Sequence, residues 1–223
     1  MPKKKTDTKK KWQKAIRKEM LKATLREAQA RYGTKDPAFN YRWEHVTAVV
    51  ELATRLAEET GADPDIVVAA AWLHDIRKET GPRHPIEGAK FARSFLPKTD
   101  FPPQKIEAVA KAIEDHMGLW RKKPLKNLES MVLWDADKLA KIGLTAVFHG
   151  AGDVLNRNRP MTLKRLIKNG RNNQWQQRTV ASMHTEPARR AAQTRLQIYN
   201  QLWDTLEQEL HGADLRLPVS EEE

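Results

Sequence analysis

An all-α fold is predicted for this 223-residue chain by two observations. Apolar residues recur at three- and four-residue intervals, and no alternating run of the kind a strand needs persists. Helix start and stop signals punctuate that pattern, among them Gly33, Asp36-Pro37, Gly61, Asp63-Pro64 and Glu186-Pro187. With 39% hydrophobic residues the chain can bury a core, and its length suits one domain plus an extension.

Lys10 to Tyr32 reads as a basic helix with few large apolar residues, stopped by Gly33. A second helix runs from about Tyr41 to Thr60. Its stripe is Trp43, Val46, Val50, Ala53 and Ala57, and Gly61 is its stop. Asp63-Pro64 supplies an N-cap and a proline at N1 for a third helix, Ile66 to about Lys78. That helix is apolar nearly all round, hence buried, and carries His74-Asp75 in its last turn. His84-Pro85 opens a short helix to Phe95, and Pro97, Pro102 and Pro103 mark a turn. Ile106, Val109, Ala110 and Ile113 face inward on a helix that ends at His116. Gly118 to Pro124 is a basic loop, and Asn127 to Ala140 is helical. The stretch 151–177 is basic and less regular. A long last helix follows from Glu186-Pro187 through Leu196, Tyr199, Leu202, Trp203, Leu206 and Leu210. No internal repeat appears, and the end of the chain, Ser220 to Glu223, reads as frayed.

The net charge is +11. Residues 1–12 carry six Lys and one Asp, so +5 of the excess sits in one short tail. Such an excess suits polyanionic partners, and nucleic acid held by the basic tail is one. Like-charge blocks are also commonly solvated arms. No apolar run approaches the ~18 residues of a membrane span, and Met1 to Lys11 holds no apolar core of a secretory signal. The absence of cysteine excludes disulfides, thiolate metal sites and cysteine nucleophiles. A cytoplasmic location is the expectation. No glycine-rich phosphate loop and no nucleophilic serine elbow is present.

The residues that carry chemistry are His45, the pair His74-Asp75, His116, and Asp135 or Asp137. Imidazoles and carboxylates together suit a divalent ion. Asp75 on a buried helix needs a partner, since an unpaired buried carboxylate costs several kcal/mol as a rough order. Asp135 and Asp137 lie ~200° apart around a helix, so both cannot face one ion. His84 and His116 suit a second metal, a phosphate contact or a general acid. Arg77 and Lys78 suit phosphate neutralisation, or equally the C-terminal dipole of their helix. Arg121, Lys122 and Lys123 form a basic loop behind His116 that suits further phosphates, or equally a solvated loop.

Trp43-Glu44-His45, the run from Ala71 to Lys78, and Asp135-Ala136-Asp137-Lys138-Leu139 followed by Ile142-Gly143 resemble the HD superfamily of metal-dependent phosphohydrolases. A late helix opening Met183-His184-Thr185-Glu186, with Arg190 and Arg195 behind it, is similar to the small single-domain subgroup. The likeness covers roughly His45 to Leu210. It implies a helical bundle that holds a divalent metal (Mn, Mg, Co, Ni, Fe or Zn) and hydrolyses a phosphoester or phosphoanhydride. It further implies His45, His74, Asp75 and Asp137 as metal ligands, leaving Asp135 to orient a ligand histidine. Asp75, Lys78 and His116 become the catalytic candidates, and Lys78, His84 and Arg121 the substrate-binding ones. A nucleotide or related small phosphate is the substrate expected. The alternatives are a nucleic-acid-binding protein with a structural HD core, or an enzyme acting on RNA or a cyclic nucleotide. The expected organisation is a basic extension at 1–38, the HD domain at 39–212 and a tail at 213–223. The likeness has no counterpart for the extension.

Overall fold

The computed structural model describes residues 10–157, 160–172 and 174–215, and every regular element among them is helical. The helices are α1 (Lys11–Tyr32), α2 (Tyr41–Thr60), α3 (Pro64–Leu73), α4 (His84–Phe95) and α5 (Ile106–Asp115). They continue with α6 (Leu128–Leu139), α7 (Leu144–Leu155), α8 (Leu163–Arg171), α9 (Gln174–Ala181) and α10 (Glu186–His211). Short 3-10 turns at Lys78–Arg83, Leu96–Lys98 and Pro103–Lys105 join the middle helices.

The cap predicted at Asp63 is present, and Asn40 and Asn127 supply two more. Asn40 accepts from the Trp43 amide at the start of α2, Asp63 from Asp65 and Ile66 at the start of α3, and Asn127 from Ser130 at the start of α6. α3 is buried on every side from Ile66 to Leu73, with α2, α5 and α6 packed around it. α4 lies against α5, and α10 crosses α6. A satellite cluster of Ile167, Tyr199 and Trp203 ties α8 to α10. A Cβ on Gly170 would meet the Trp203 ring at 2.1 Å, so only glycine allows that approach.

Three expectations change. First, α3 stops at Leu73 rather than near Lys78. The chain tightens there, with Ile76 N–H donating to the Leu73 carbonyl and Lys78 N–H to that of Asp75. Ile76 stays fully buried, which is why the composition reads as continuing helix. In an α-helix neighbours diverge by ~100°. The tight turn lets both His74 and Asp75 face the same interior point.

Second, α1 is part of the bundle. Trp12, Ile16, Met20 and Ala23 lie at 2% exposure or less in the main core, one stripe at helical spacing. The Trp12 ring meets Phe101 edge-on with centroids 5.0 Å apart, and Lys10 pairs with Asp65 at 2.6 Å. The packing therefore shows no boundary at residue 38. The tail proper, 1–9, lies outside the described residues, as does 216–223 of the expected C-terminal tail.

Third, the stretch 151–177 contains the end of α7, all of α8 and the start of α9. Its apolar partners sit on α10, too far along the chain for local periodicity to show them.

The buried stripe on α1 can be checked directly. Trp12→Ala should lower unfolding stability by about 3–5 kcal/mol in denaturant titration, whereas removal of residues 1–9 should leave it unchanged. A Trp12→Ala protein as stable as the parent would refute the packing of α1.

Candidate metal centre

Four helix ends and one helix interior bring the polar groups together. His45 sits in the second turn of α2, fully buried. His74 caps the C-terminus of α3, His116 caps α5, and His84 begins α4. Asp137 points inward from α6. At each of the three helix-end histidines the Nδ1–H donates to the carbonyl three residues earlier. His74 reaches Ala71 at 2.8 Å, His84 reaches Gly81 at 2.7 Å and His116 reaches Ile113 at 2.5 Å. That bond sets the tautomer and leaves each Nε2 lone pair free to face the centre.

Two triads result, and Asp75 belongs to both. On one side His74 Nε2 lies 3.5 Å and His45 Nε2 3.8 Å from Asp75 Oδ2. Asp137 Oδ1 lies 3.1 Å from His45 Nε2 and 3.8 Å from His74 Nε2. On the other side Asp75 Oδ1 lies 3.3 Å from His84 Nε2 and 3.8 Å from His116 Nε2. The two Nε2 atoms of His84 and His116 are 3.1 Å apart, and Lys78 Nζ stands 3.1 Å from both His84 Nε2 and Asp75 Oδ1.

This donor set fits a divalent ion. Both ring nitrogens of His45 and Nε2 of His74 are buried without an aligned hydrogen-bond partner, a condition that buried polar atoms rarely tolerate. Burial, reinforced by the Lys141 charge, pushes His45 down to about 4, and burial holds His74 well below its ordinary value. Both imidazoles are therefore neutral and free to ligate. Burial alone would raise Asp75, but the Arg42 and Lys78 charges pull it well below the usual carboxylate range. Lys138 and Lys141 do the same for Asp137 against its burial. Neutral nitrogens and ionised oxygens are what such a metal needs.

The structure adds three residues that sequence reading gave no role. Arg42, 4% exposed, contacts Asp75 with one nitrogen and approaches Glu27 at 3.5 Å with the other. Lys138 contacts Asp137 and donates to the His116 carbonyl at 2.9 Å. Lys141 also contacts Asp137. Spacing offered a signal: Arg42 lies three before His45 and Lys141 four after Asp137, each one turn away on the same face. Burial draws Lys138 down to about 8 despite the Asp137 charge beside it.

Other candidates fall elsewhere. Asp135 orients no ligand histidine. Its oxygens accept from the amides of His184 and Thr185 and from the Thr185 hydroxyl, at 2.9, 2.7 and 2.7 Å, so it caps α10 from α6. The Met183-to-Glu186 segment is thus the join between two helices. Arg195 donates to the Leu139 carbonyl at 2.6 Å and belongs to the same join. Arg121 is spent on the carbonyls of Asp115 and Lys123 and is not among the residues that line the cavity at His116. Arg77 lies over the Phe91 ring, away from the centre.

Two outcomes are expected. Asp135→Ala should destabilise the fold by about 3–5 kcal/mol, as loss of a buried charged network does, while folded molecules keep their full metal content. Loss of metal without loss of stability would reverse the assignment. The pH dependence is set by groups that resist protonation in the fold. The unfolded chain takes up protons on His45 and His74 near their ordinary 6.5, and the folded chain does so on His45 only near 4. Stability of the metal-free protein should therefore fall as pH drops through 6.5 towards 4, and fall further below that as Asp75 and Asp137 lose their ionised advantage. A flat unfolding midpoint across that window would contradict the neutral, buried imidazoles.

The comparisons with known proteins agree with this geometry. The HD domain model matches residues 42–142, a span that opens on Arg42 and closes just after Lys141. A predicted HD superfamily hydrolase from an uncultured Thermotogales bacterium is 27% identical, with 87% of this chain and 91% of that chain aligned at a TM-score of 0.56. YpgQ of Bacillus subtilis, solved in complex with ADP, is 20% identical over 86% of this chain and 97% of its own, with a TM-score of 0.61. An HD-superfamily hydrolase from Bacillus thuringiensis is 19% identical over 87% and 98%, with a TM-score of 0.59. Residues 42–142 are an HD domain, and that domain together with these neighbours supports a metal-dependent hydrolase.

Proposed function

We propose that this phosphohydrolase cleaves a phosphoanhydride or phosphoester bond of a nucleotide. The observation that carries the reading is the cavity beside the triads. It measures about 210 Å³ and is lined by Lys78, Lys138 and Lys141 together with His84, His116 and Asp137. Three ammonium groups around an opening suit a multiply charged phosphate. The space takes phosphate groups and leaves the rest of a substrate at the lip, formed by Met117, Gly118 and Leu119. The likeness to YpgQ, which was solved with ADP, supports a nucleotide within the fold.

His45, His74, Asp75 and Asp137 would hold the divalent ion. When bound, it supplies a polarised phosphoryl oxygen and a water acidic enough to attack near neutral pH. Asp75 accepts the proton of the attacking water. Lys78, 3.1 Å from Asp75 Oδ1 and held by His84, offers its remaining proton to a phosphate oxygen. The free Nε2 lone pair of His116, 3.8 Å from Asp75 Oδ1, takes on the proton that Asp75 accepted and delivers it to the leaving oxygen. His84 positions Lys78 and contacts the substrate. The His84 and His116 side of Asp75 is also a place for a second ion. Among the described residues no helix is long and apolar enough to cross a membrane. A cytoplasmic setting is part of the proposal.

The test is metal-stripped protein assayed for phosphate and pyrophosphate release on a panel of nucleoside mono-, di- and triphosphates, 3′,5′-cyclic nucleotides, oligonucleotides and sugar phosphates. Mn, Mg, Co, Ni, Fe and Zn are each added back. Turnover of nucleoside di- or triphosphates is expected, and activity confined to sugar phosphates would exclude the nucleotide. Asp75→Ala should lose bound metal and turnover together, measured by elemental analysis beside the assay. Lys78→Met should keep its metal and lose roughly 10²–10³ in kcat, the scale of removing one charge-stabilising donor. A Lys78→Met enzyme with unchanged kcat would remove Lys78 from the mechanism.

A further inference from the structure

A second basic surface lies on the opposite side of α2 and α3 from the metal centre. Trp43 and His45 are two apart on α2, and Trp72 and His74 are two apart at the end of α3. Residues so spaced diverge by about 200°. While the histidines face the metal centre, both indoles line a groove of about 1000 Å³ beneath α1. The rings lie 5.7 Å apart between centroids at an interplanar angle of 42°. The wall facing them is the N-terminal half of α1, where Lys10, Lys14, Arg17 and Lys18 line the same groove. The Arg17 guanidinium lies over the Trp43 ring at 5.2 Å.

The charges are available. Lys14, Arg17 and Lys18 are exposed, and no carboxylate lies within ion-pair distance of them among the described residues. The acids that line the groove, Glu51 and Asp65, already have cationic partners. Glu51 pairs with Arg55 at 3.5 Å, and Asp65 pairs with Lys10 at 2.6 Å and Lys105 at 3.1 Å. α1 leads directly back to the tail, which adds Lys3, Lys4, Lys5 and Lys9 against a single acid, Asp7.

We propose that this groove binds single-stranded nucleic acid, with phosphates along Lys14, Arg17 and Lys18 and a base stacked at Trp43. Cationic grooves interleaved with aromatic faces suit unpaired strands, because every base has a face to stack and every linkage a charge. An anionic membrane would use the charges but not the recessed indoles. The exposed apolar residues of α1, Leu21 and Leu25, are too few to enter a bilayer as an apolar face. The proposal does not rest on the nucleotide reading of the metal centre, since the two surfaces are on opposite faces of the same helices.

Fluorescence anisotropy of the full chain tests it, with a labelled 20-nucleotide thymidine strand, an abasic strand of equal length, a duplex, and phosphatidylserine vesicles as probes. The thymidine strand should bind with affinity that falls linearly in log salt, and roughly tenfold or more tighter than the abasic strand. Lys14→Glu with Lys18→Glu should weaken binding on the order of tenfold and flatten the salt slope by roughly 1–2. That variant should retain its circular dichroism, unfolding midpoint and mononucleotide turnover. Equal affinity for thymidine and abasic strands, or for duplex, would overturn the stacking. So would preference for the vesicles, or binding that removal of residues 1–9 abolishes while the α1 variant binds as the parent does.

Discussion

Asp75 puts a negative charge in the middle of an apolar bundle, and the site is arranged to keep it ionised. A carboxylate 2% exposed among Val, Ala, Leu and Ile would ordinarily take a proton. Here Arg42 contacts one oxygen and Lys78 the other, and imidazoles surround both. Asp137 meets the same demand through Lys138 and Lys141. Two buried carboxylates and four buried or half-buried cations form one network, in which any single loss unbalances the charge. A divalent ion among His45, His74, Asp75 and Asp137 would share the negative charge with those cations and free the lysines towards the cavity.

Rigidity of the imidazoles comes from the ends of helices. The last carbonyls of a helix have no internal partner. His74 uses such a carbonyl to fix Nδ1, His116 uses the Ile113 carbonyl that its own backbone N–H also reaches, and His84 uses the Gly81 carbonyl in the 3-10 turn before α4. The same bonds satisfy the backbone and aim Nε2. His45 follows a different rule. It stands inside α2 with neither nitrogen in an aligned hydrogen bond, and Tyr41 stacks one turn away at a 6.1 Å centroid separation.

Helical periodicity also separates the molecule's two basic surfaces. Histidines and tryptophans two residues apart place a metal centre on one side of α2 and α3 and an indole-lined groove on the other. α1 completes the second side, and its core stripe of Trp12, Ile16 and Met20 holds the basic face in position. α1 is therefore both a packing element and the carrier of much of the positive charge.

The sequence by itself determined the all-helical class, most helix boundaries and the ligand candidates. Those rest on local rules: apolar spacing, a capping side chain, a proline at N1, and the few residue types that ligate metals. The pairing of His74 with Asp75 was legible, but not the turn that turns both inward, because Ile76 extends the apolar pattern past the end of the helix. The choice between Asp135 and Asp137 was narrowed by periodicity. Only the tertiary structure assigned Asp135 to the start of α10, which lies about fifty residues away along the chain. Arg42, Lys138 and Lys141 were visible as charges, yet their burial and their carboxylate partners depend on how α2, α3 and α6 meet. Arg121 stood near His116 in sequence and away from its cavity in space, because its guanidinium closes the carbonyl end of α5. Local periodicity decides which residues share a face, and only packing decides what that face meets.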